Sequence, residues 1–357
     1  MRTTNGTTAV IEATSEDRAY CRRVLPRVSR TFALTLRMLS GPMREAASNA
    51  YLLCRAADAL EDSWPGTPAE MGARFDGFLA ALDGDFTAGA ALARAAHAVN
   101  AADDGPEGVA AIELELLSRL PSVLAVHGAL REDVRVIVAD GVRILATGMK
   151  RYATRAAARP VPAPYLDSET ELHDYCYVVA GCVGEMLTRL FGALTGRNGD
   201  RDQAQRLELS PVVGEALQLT NVLLDWPVDV RRGRCHVPAS WLTEVGASPE
   251  SLISDTRAAR ELGARLEALA RAALERVPEY LELIPPRYLR YRLFCLVPAL
   301  WAAASLRHAR RDPHFPWGPR RPRLPRPELR DIMLRSLFAA PSPAATRRLY
   351  ARCIAGA

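Results

Sequence analysis

Residues 51–62 read YLLCRAADALED. Leu52, Leu53, Cys54, Ala56, Ala57, Ala59 and Leu60 make this an apolar helix, yet it also carries Arg55, Asp58, Glu61 and Asp62. Steps of 4, 3 and 4 residues place Tyr51, Arg55, Asp58 and Asp62 on one helical face. A helix that is apolar around most of its circumference is normally buried, and buried charge is costly unless something pairs with it. Arg55 can answer for one aspartate, which leaves the other in need of a partner. Taken alone, the stretch fits a solvated polar stripe with one internal ion pair as well as it fits a functional face.

A second stretch shifts that balance. In GEALQLTNVLLDWPVD (214–229), Gln218, Asn221, Asp225 and Asp229 recur at steps of 3, 4 and 4, and most of the remainder is Ala, Leu and Val. Two apolar helices thus each carry one hydrophilic stripe ending in an aspartate pair. Facing each other, they would gather four carboxylates in one cavity. Two like charges about 4 Å apart repel by roughly 4 kcal/mol at an effective dielectric near 20. Such a cluster needs counter-charge, and a hard divalent cation with oxygen ligands supplies it. Mg²⁺ fits best, because it takes one or two carboxylates and fills its shell with water and substrate phosphates. No His/Cys cluster argues for zinc. A greasy cavity with a diphosphate grip implies a prenyl diphosphate. Metal and arginine would draw off the diphosphate, and aromatic faces would stabilise the allylic cation left behind.

The rest of the chain sets bounds on this reading. Its 357 residues are 49% hydrophobic and 24% charged, an ordinary globular composition. Net charge is +5 with both signs mixed, Lys150 is the only lysine, and no nucleic-acid-binding motif appears, so a nucleic-acid partner is not expected. Seven scattered cysteines without a CxxC pair indicate reduced thiols and a cytoplasmic protein. The first twenty residues lack the apolar core of a signal peptide. The apolar run 293–306 is shorter than the about 20 residues that cross a bilayer. The expectation is a chain without a transmembrane segment, able to touch a membrane surface when it releases an apolar product.

Residues 1–14 read as a flexible tail, 15–310 as one all-helical domain, 311–327 as an Arg/Pro-rich loop and 328–357 as a helical segment packed on the same domain. Within the domain, VRVIVA (134–139) reads as helix, 156–164 as loop, and Glu267–Arg271 as an i,i+4 pair. The loop 311–327 holds five arginines and six prolines, which excludes helix.

With these stretches in view, the chain resembles the squalene/phytoene synthases, the head-to-head prenyl transferases, over about residues 15–310. YLLCRAADALED looks like their first aspartate-rich motif, and QLTNVLLDWPVDVRRGRCHVP (218–238) is similar to the second. DYCYVVAGCVGEMLTRLF (174–191) resembles the helix between them, SRTFAL (29–34) an N-terminal substrate motif, and RYRLFCLVPALWAAASL (290–306) the late helix, closer in form to squalene synthases. The resemblance implies an all-α isoprenoid synthase fold, a single-domain helical bundle around a large apolar cavity. It implies Mg²⁺ on Asp58, Asp62, Asp225 and Asp229. It implies substrate contact by Ser29, Arg30, Tyr51, Gln218, Asn221 and Arg234, diphosphate contact by Arg55, proton handling at Tyr175, and a second reaction pocket lined by Phe294. Ser29 also reads as a helix N-cap, and Tyr175 and Phe294 as core aromatics.

The implied reaction joins two farnesyl diphosphates through presqualene diphosphate to squalene, with NADPH as reductant. Alternatives are a phytoene or dehydrosqualene-type synthase without reductant, a same-fold enzyme passing the allylic cation to an aromatic or other small-molecule acceptor, and a non-catalytic isoprenoid-binding or scaffold protein. Presence of all four aspartates argues against the last. The second motif departs from the pattern at three places. Leu224 stands where the family has arginine, Val228 where it has an acid, and Pro227 lies between the aspartates. A proline there predicts a kink or stop, which would free Asp229 from its position one turn beyond Asp225. The Arg/Pro segment 311–327 reads as a surface loop, or as a contact for NADPH phosphates.

Overall fold

Helix starts along the chain are written in its caps. Thr14 and Thr67 form capping boxes with Asp17 and Glu70, while Asp85, Ser168 and Thr256 accept from first-turn amides. The computed structural model describes residues 13–102, 105–161 and 163–355. These fold almost wholly into α-helices, with one two-residue parallel bridge, Ala163–Pro164 against Arg234–Cys235. The expected tail therefore falls mostly outside the described residues.

The helix carrying the first aspartates spans Gly41–Asp62. Eleven of its residues are buried, including Leu52, Leu53, Ala56, Ala57, Ala59 and Leu60, and it packs on Glu132–Ala157, Val109–Ser118 and Cys182–Thr195. Over its second half, 49–62, its polar stripe and Glu61 escape full burial: Tyr51, Arg55, Asp58 and Glu61 are partly buried and Asp62 is exposed. Residues 134–139 are helical, inside Glu132–Ala157. The second aspartate helix spans Gln203–Asp229 and packs on Cys182–Thr195, Arg257–Glu275 and Leu289–Ala309. Cys182–Thr195 thus touches both aspartate helices and sets their separation. Its approach to the second is close because glycines meet there. A Cβ on Gly214 would come within 2.2 Å of the Ala180 carbonyl oxygen, and one on Gly184 within 2.2 Å of that of Ser210.

Four expectations are corrected here. Pro227 does not break its helix, which runs on to Asp229. Trp226 is held in helical geometry by burial and by its indole N–H, which donates to the Leu252 carbonyl at 3.0 Å. Reversal comes later, at Gly233 with φ +79°. The segment 156–164, read as loop, contributes a bridge strand at its end; the bridge seats Tyr165, whose N–H donates to the Cys235 carbonyl at 2.7 Å. Glu267 pairs with Arg310 of the late helix rather than with Arg271, which pairs with Glu275. Finally, the late helix extends to Leu289–Ala309, long and apolar enough to span a bilayer, as is the run Glu169–Thr195. Both pack within the fold, and 67% of the apolar window of Leu289–Ala309 is buried.

Beyond the late helix, residues 310–325 contain no α-helix. Arg231 fastens this strap: its guanidinium donates to the carbonyls of Trp317 (2.7 Å) and Gly318 (2.6 Å). Helices Arg326–Ala339 and Pro343–Ala355 then pack on Leu289–Ala309.

Candidate active site

Between the aspartate helices lies an apolar chamber of about 230 Å³. Tyr51, Asp58, Gln218 and Asn221 from the two polar stripes line it, and Tyr280, Tyr291 and Phe294 form an aromatic wall. The two stripes therefore face a common interior. A second, more polar cleft of about 640 Å³ adjoins it, bounded by Ser29, Arg55, Leu224, Arg321 and Arg323. Phe32, Tyr51, Leu217, Asn221 and Pro298 border both volumes. Phe32 and Tyr51 are stacked, with ring centroids 5.3 Å apart. Ser29 caps the helix Arg30–Leu36 by accepting from the Phe32 amide at 3.1 Å, so its cap role and its place on the cleft coexist. The side chain of Arg30 lies outside the described residues.

Each aspartate is matched with a cation or a histidine. Arg55 bridges Asp58 (3.1 Å) and the buried Glu113, to which Ser63 also donates. Arg234 pairs with Asp62. Arg321 reaches from the strap to Asp225 (2.7 Å) and donates to the Asn221 side-chain oxygen at 3.2 Å. His236 Nδ1 stands 3.7 Å from Asp229. Burial pushes the Asp58 carboxyl up to about 6, with Arg55 opposing and Asp62 adding to the rise. Burial, then the charge of Asp225, pushes Asp229 to about 6, and Asp62 adds to it. Burial also raises Asp225, against Arg321. Asp229 thus remains a close electrostatic neighbour of Asp225 despite Pro227.

Tyr175 borders neither of the two volumes. It joins an aromatic cluster at their acidic end, its ring 6.3 Å from Tyr165 and 5.3 Å from His236. The Tyr165 hydroxyl donates to Glu61, whose carboxyl burial and Asp62 push up to about 7. His236 is pushed down to about 4 by burial and by Arg234. Asp62, Glu61, Tyr165, Tyr175, Asp229, Arg234 and His236 make up this rim. A π-helical turn, Tyr177–Gly181, begins two residues after Tyr175, a distortion often found at functional sites.

The donors fit a hard dication. They are carboxylate and amide oxygens without a thiolate, and three of the four aspartates are held up by burial that positive charge would relieve. Among the described residues no three His, Cys, Asp or Glu side chains converge on one metal-sized point, so water and ligand oxygens would have to complete any shell.

Sequence reasoning missed Glu113, Tyr165, Glu61 and Arg321. Glu113 carried a faint signal, an acid inside the apolar run VAAIELELLS. Arg321 carried another, since Asp225 lacks a neighbouring arginine on its own helix, where Leu224 precedes it. Tyr165 carried none, because only the bridge to Arg234–Cys235 brings it to the rim.

A family model described as Squalene/phytoene synthase matches residues 25–328. The chain is 26% identical to human squalene synthase over 302 residues, 80% of this chain and 62% of that protein. It is 37% identical to a phytoene synthase of Pseudescherichia vulneris over 142 residues, 39% of each. It spans less than two thirds of the length of either relative. Among solved structures, TcSQS in complex with the ligand E5700 superposes with a TM-score of 0.72 at 22% identity, covering 96% of this chain and 92% of that one. A dehydrosqualene synthase in complex with ligand gives 0.59 at 21% identity, covering 90% and 95%.

Proposed function

The chain belongs to the squalene/phytoene synthase family, and from that premise we propose a Mg²⁺-dependent prenyl transferase that condenses two farnesyl diphosphates head to head, through presqualene diphosphate, to squalene. The observation that carries this reading is that Tyr51 and Asp58 of one stripe and Gln218 and Asn221 of the other border one apolar chamber with an aromatic far wall. The seven cysteines are unpaired, which suits a cytoplasmic enzyme.

Asp58 and Asp62 from one helix and Asp225 and Asp229 from the other would hold the metal, which when bound neutralises diphosphate charge and makes it a better leaving group. Arg55, Arg234 and Arg321 grip the diphosphate oxygens, with Ser29 and the first turn of its helix beside them. Arg321 supplies from the strap the guanidinium that Leu224 withholds from the helix. Phe32, Tyr51 and Phe294 present ring faces to the allylic cation formed when the C–O bond breaks. Tyr175 and Tyr165 at the rim are placed to relay the proton lost as the second prenyl unit closes the cyclopropane. Gln218 and Asn221 orient the reactants between the two volumes. Arg321 and Arg323 on the polar cleft suit the phosphates of NADPH, which squalene formation requires as hydride donor.

The test is incubation with farnesyl diphosphate and Mg²⁺, with and without NADPH, and mass spectrometry of the products. Presqualene diphosphate or dehydrosqualene without NADPH and squalene with it is the expected pair. Identical products in both arms would move the reading to the phytoene type, and a prenylated aromatic acceptor alone would replace it. Asp58→Asn and Asp229→Ala should each lower turnover by roughly 100-fold or more. Wild-type turnover in Asp229→Ala would remove that residue from the metal set.

A further inference from the structure

The helix Arg326–Ala339 buries Ile332, Ser336 and Ala339 against the fold. Its other side carries Leu334, Leu337 and Phe338, which are 55%, 46% and 83% exposed. Positions i, i+3 and i+4 form one ridge. A helix packed on one side needs one apolar face, and this one has two. The charge around the ridge is one-sided. Arg320, Arg323, Arg326 and Arg330 are exposed, and among the described residues no carboxylate pairs with them. Both acids of the helix are taken, Glu328 by Arg307 and Asp331 by Arg335. The same segment borders the polar cleft through Arg323, Leu324 and Leu329.

We propose that this face docks on an anionic lipid bilayer. Phe338, Leu334 and Leu337 enter the headgroup–acyl boundary, and Arg320, Arg326 and Arg330 meet lipid phosphates. A second copy of the chain is the rival occupant of such a ridge. A two-fold contact would press the same arginines against each other, so the charge selects the lipid. The docking does not depend on the prenyl transferase reading, although it would set the mouth of the cleft at the phase into which a C30 hydrocarbon partitions.

The experiment is vesicle flotation of the full chain without substrate or Mg²⁺, comparing equimolar phosphatidylglycerol/phosphatidylcholine with phosphatidylcholine alone. Partition onto the anionic vesicles, weakened by salt, is expected. Leu334→Ser with Phe338→Ser should lower it roughly tenfold or more, and Arg326→Gln and Arg330→Gln roughly fivefold each. As an independent reading, indole fluorescence at position 338 in Phe338→Trp should be quenched by acyl-chain nitroxide lipids. No partition, partition untouched by these variants, an unquenched indole, or a dimer in light scattering that Phe338→Ser dissociates would each overturn the proposal. Because no turnover is measured, failure here leaves the catalytic reading to its own test.

Discussion

His127 lies in the helix Leu120–Gly128 at 5% exposure, with no hydrogen-bond partner for its Nδ1 among the described residues. Burial, with help from Arg135, pushes its value from 6.5 down to about 4. The unfolded chain therefore takes up a proton below pH 6.5 that the folded chain refuses until about 4. Its contribution is fully present above 6.5 and fades as pH falls toward 4. Urea unfolding at pH 7 and pH 5 should show wild type losing on the order of 2 kcal/mol more than His127→Leu over that interval. The comparison between the two proteins matters, because Asp58, Glu61 and Asp229 titrate with the opposite sign: their values are raised, so the folded state gains from acid. Residue types at the site were readable from spacing alone, since the steps of 4, 3 and 4 need only helical geometry. The partners were not, because Arg321 and Tyr165 reach the site through contacts far apart in sequence.

Among the elements, the pairing of Cys182–Thr195 and its π-turn with Gln203–Asp229 places the second aspartates. Nothing but glycine fits at 214, where a Cβ would also stand 2.8 Å from Gly181 Cα. The neighbours are backbone atoms, so they cannot step aside as a side chain would. Gly214→Ala should cost about 3 kcal/mol, read as a lower midpoint in urea, and should impair turnover by pushing Asn221 and Asp225 away from the opposite stripe. Helix existence and polarity were legible in the sequence through caps and 3.6-residue periodicity. The effect of Pro227 was not, because the local rule for proline was overridden by the burial of Trp226 and its bond to Leu252. The strap 310–325 was legible as non-helical, but its course over Asp225 depends on the grip of Arg231 on Trp317 and Gly318.

At the scale of the molecule, a buried arginine is one of the ties between the C-terminal helices and the catalytic core. Arg292 is 1% exposed and donates to the carbonyls of Leu281, Ile284 and Ala340, which join three separate helical segments. Arg292→Met would strand those acceptors and should lower stability by about 3 kcal/mol, seen as a melting transition at lower temperature or split in two. The all-helical class could be read from composition. The division of the interior could not, because it depends on how five side chains from four helices close together. Phe32, Tyr51, Leu217, Asn221 and Pro298 form a party wall between a greasy room and a charged one. A reactant stripped of its headgroup on one side already lies against the other, so it can change rooms by pivoting, without a voyage through bulk solvent that would quench it.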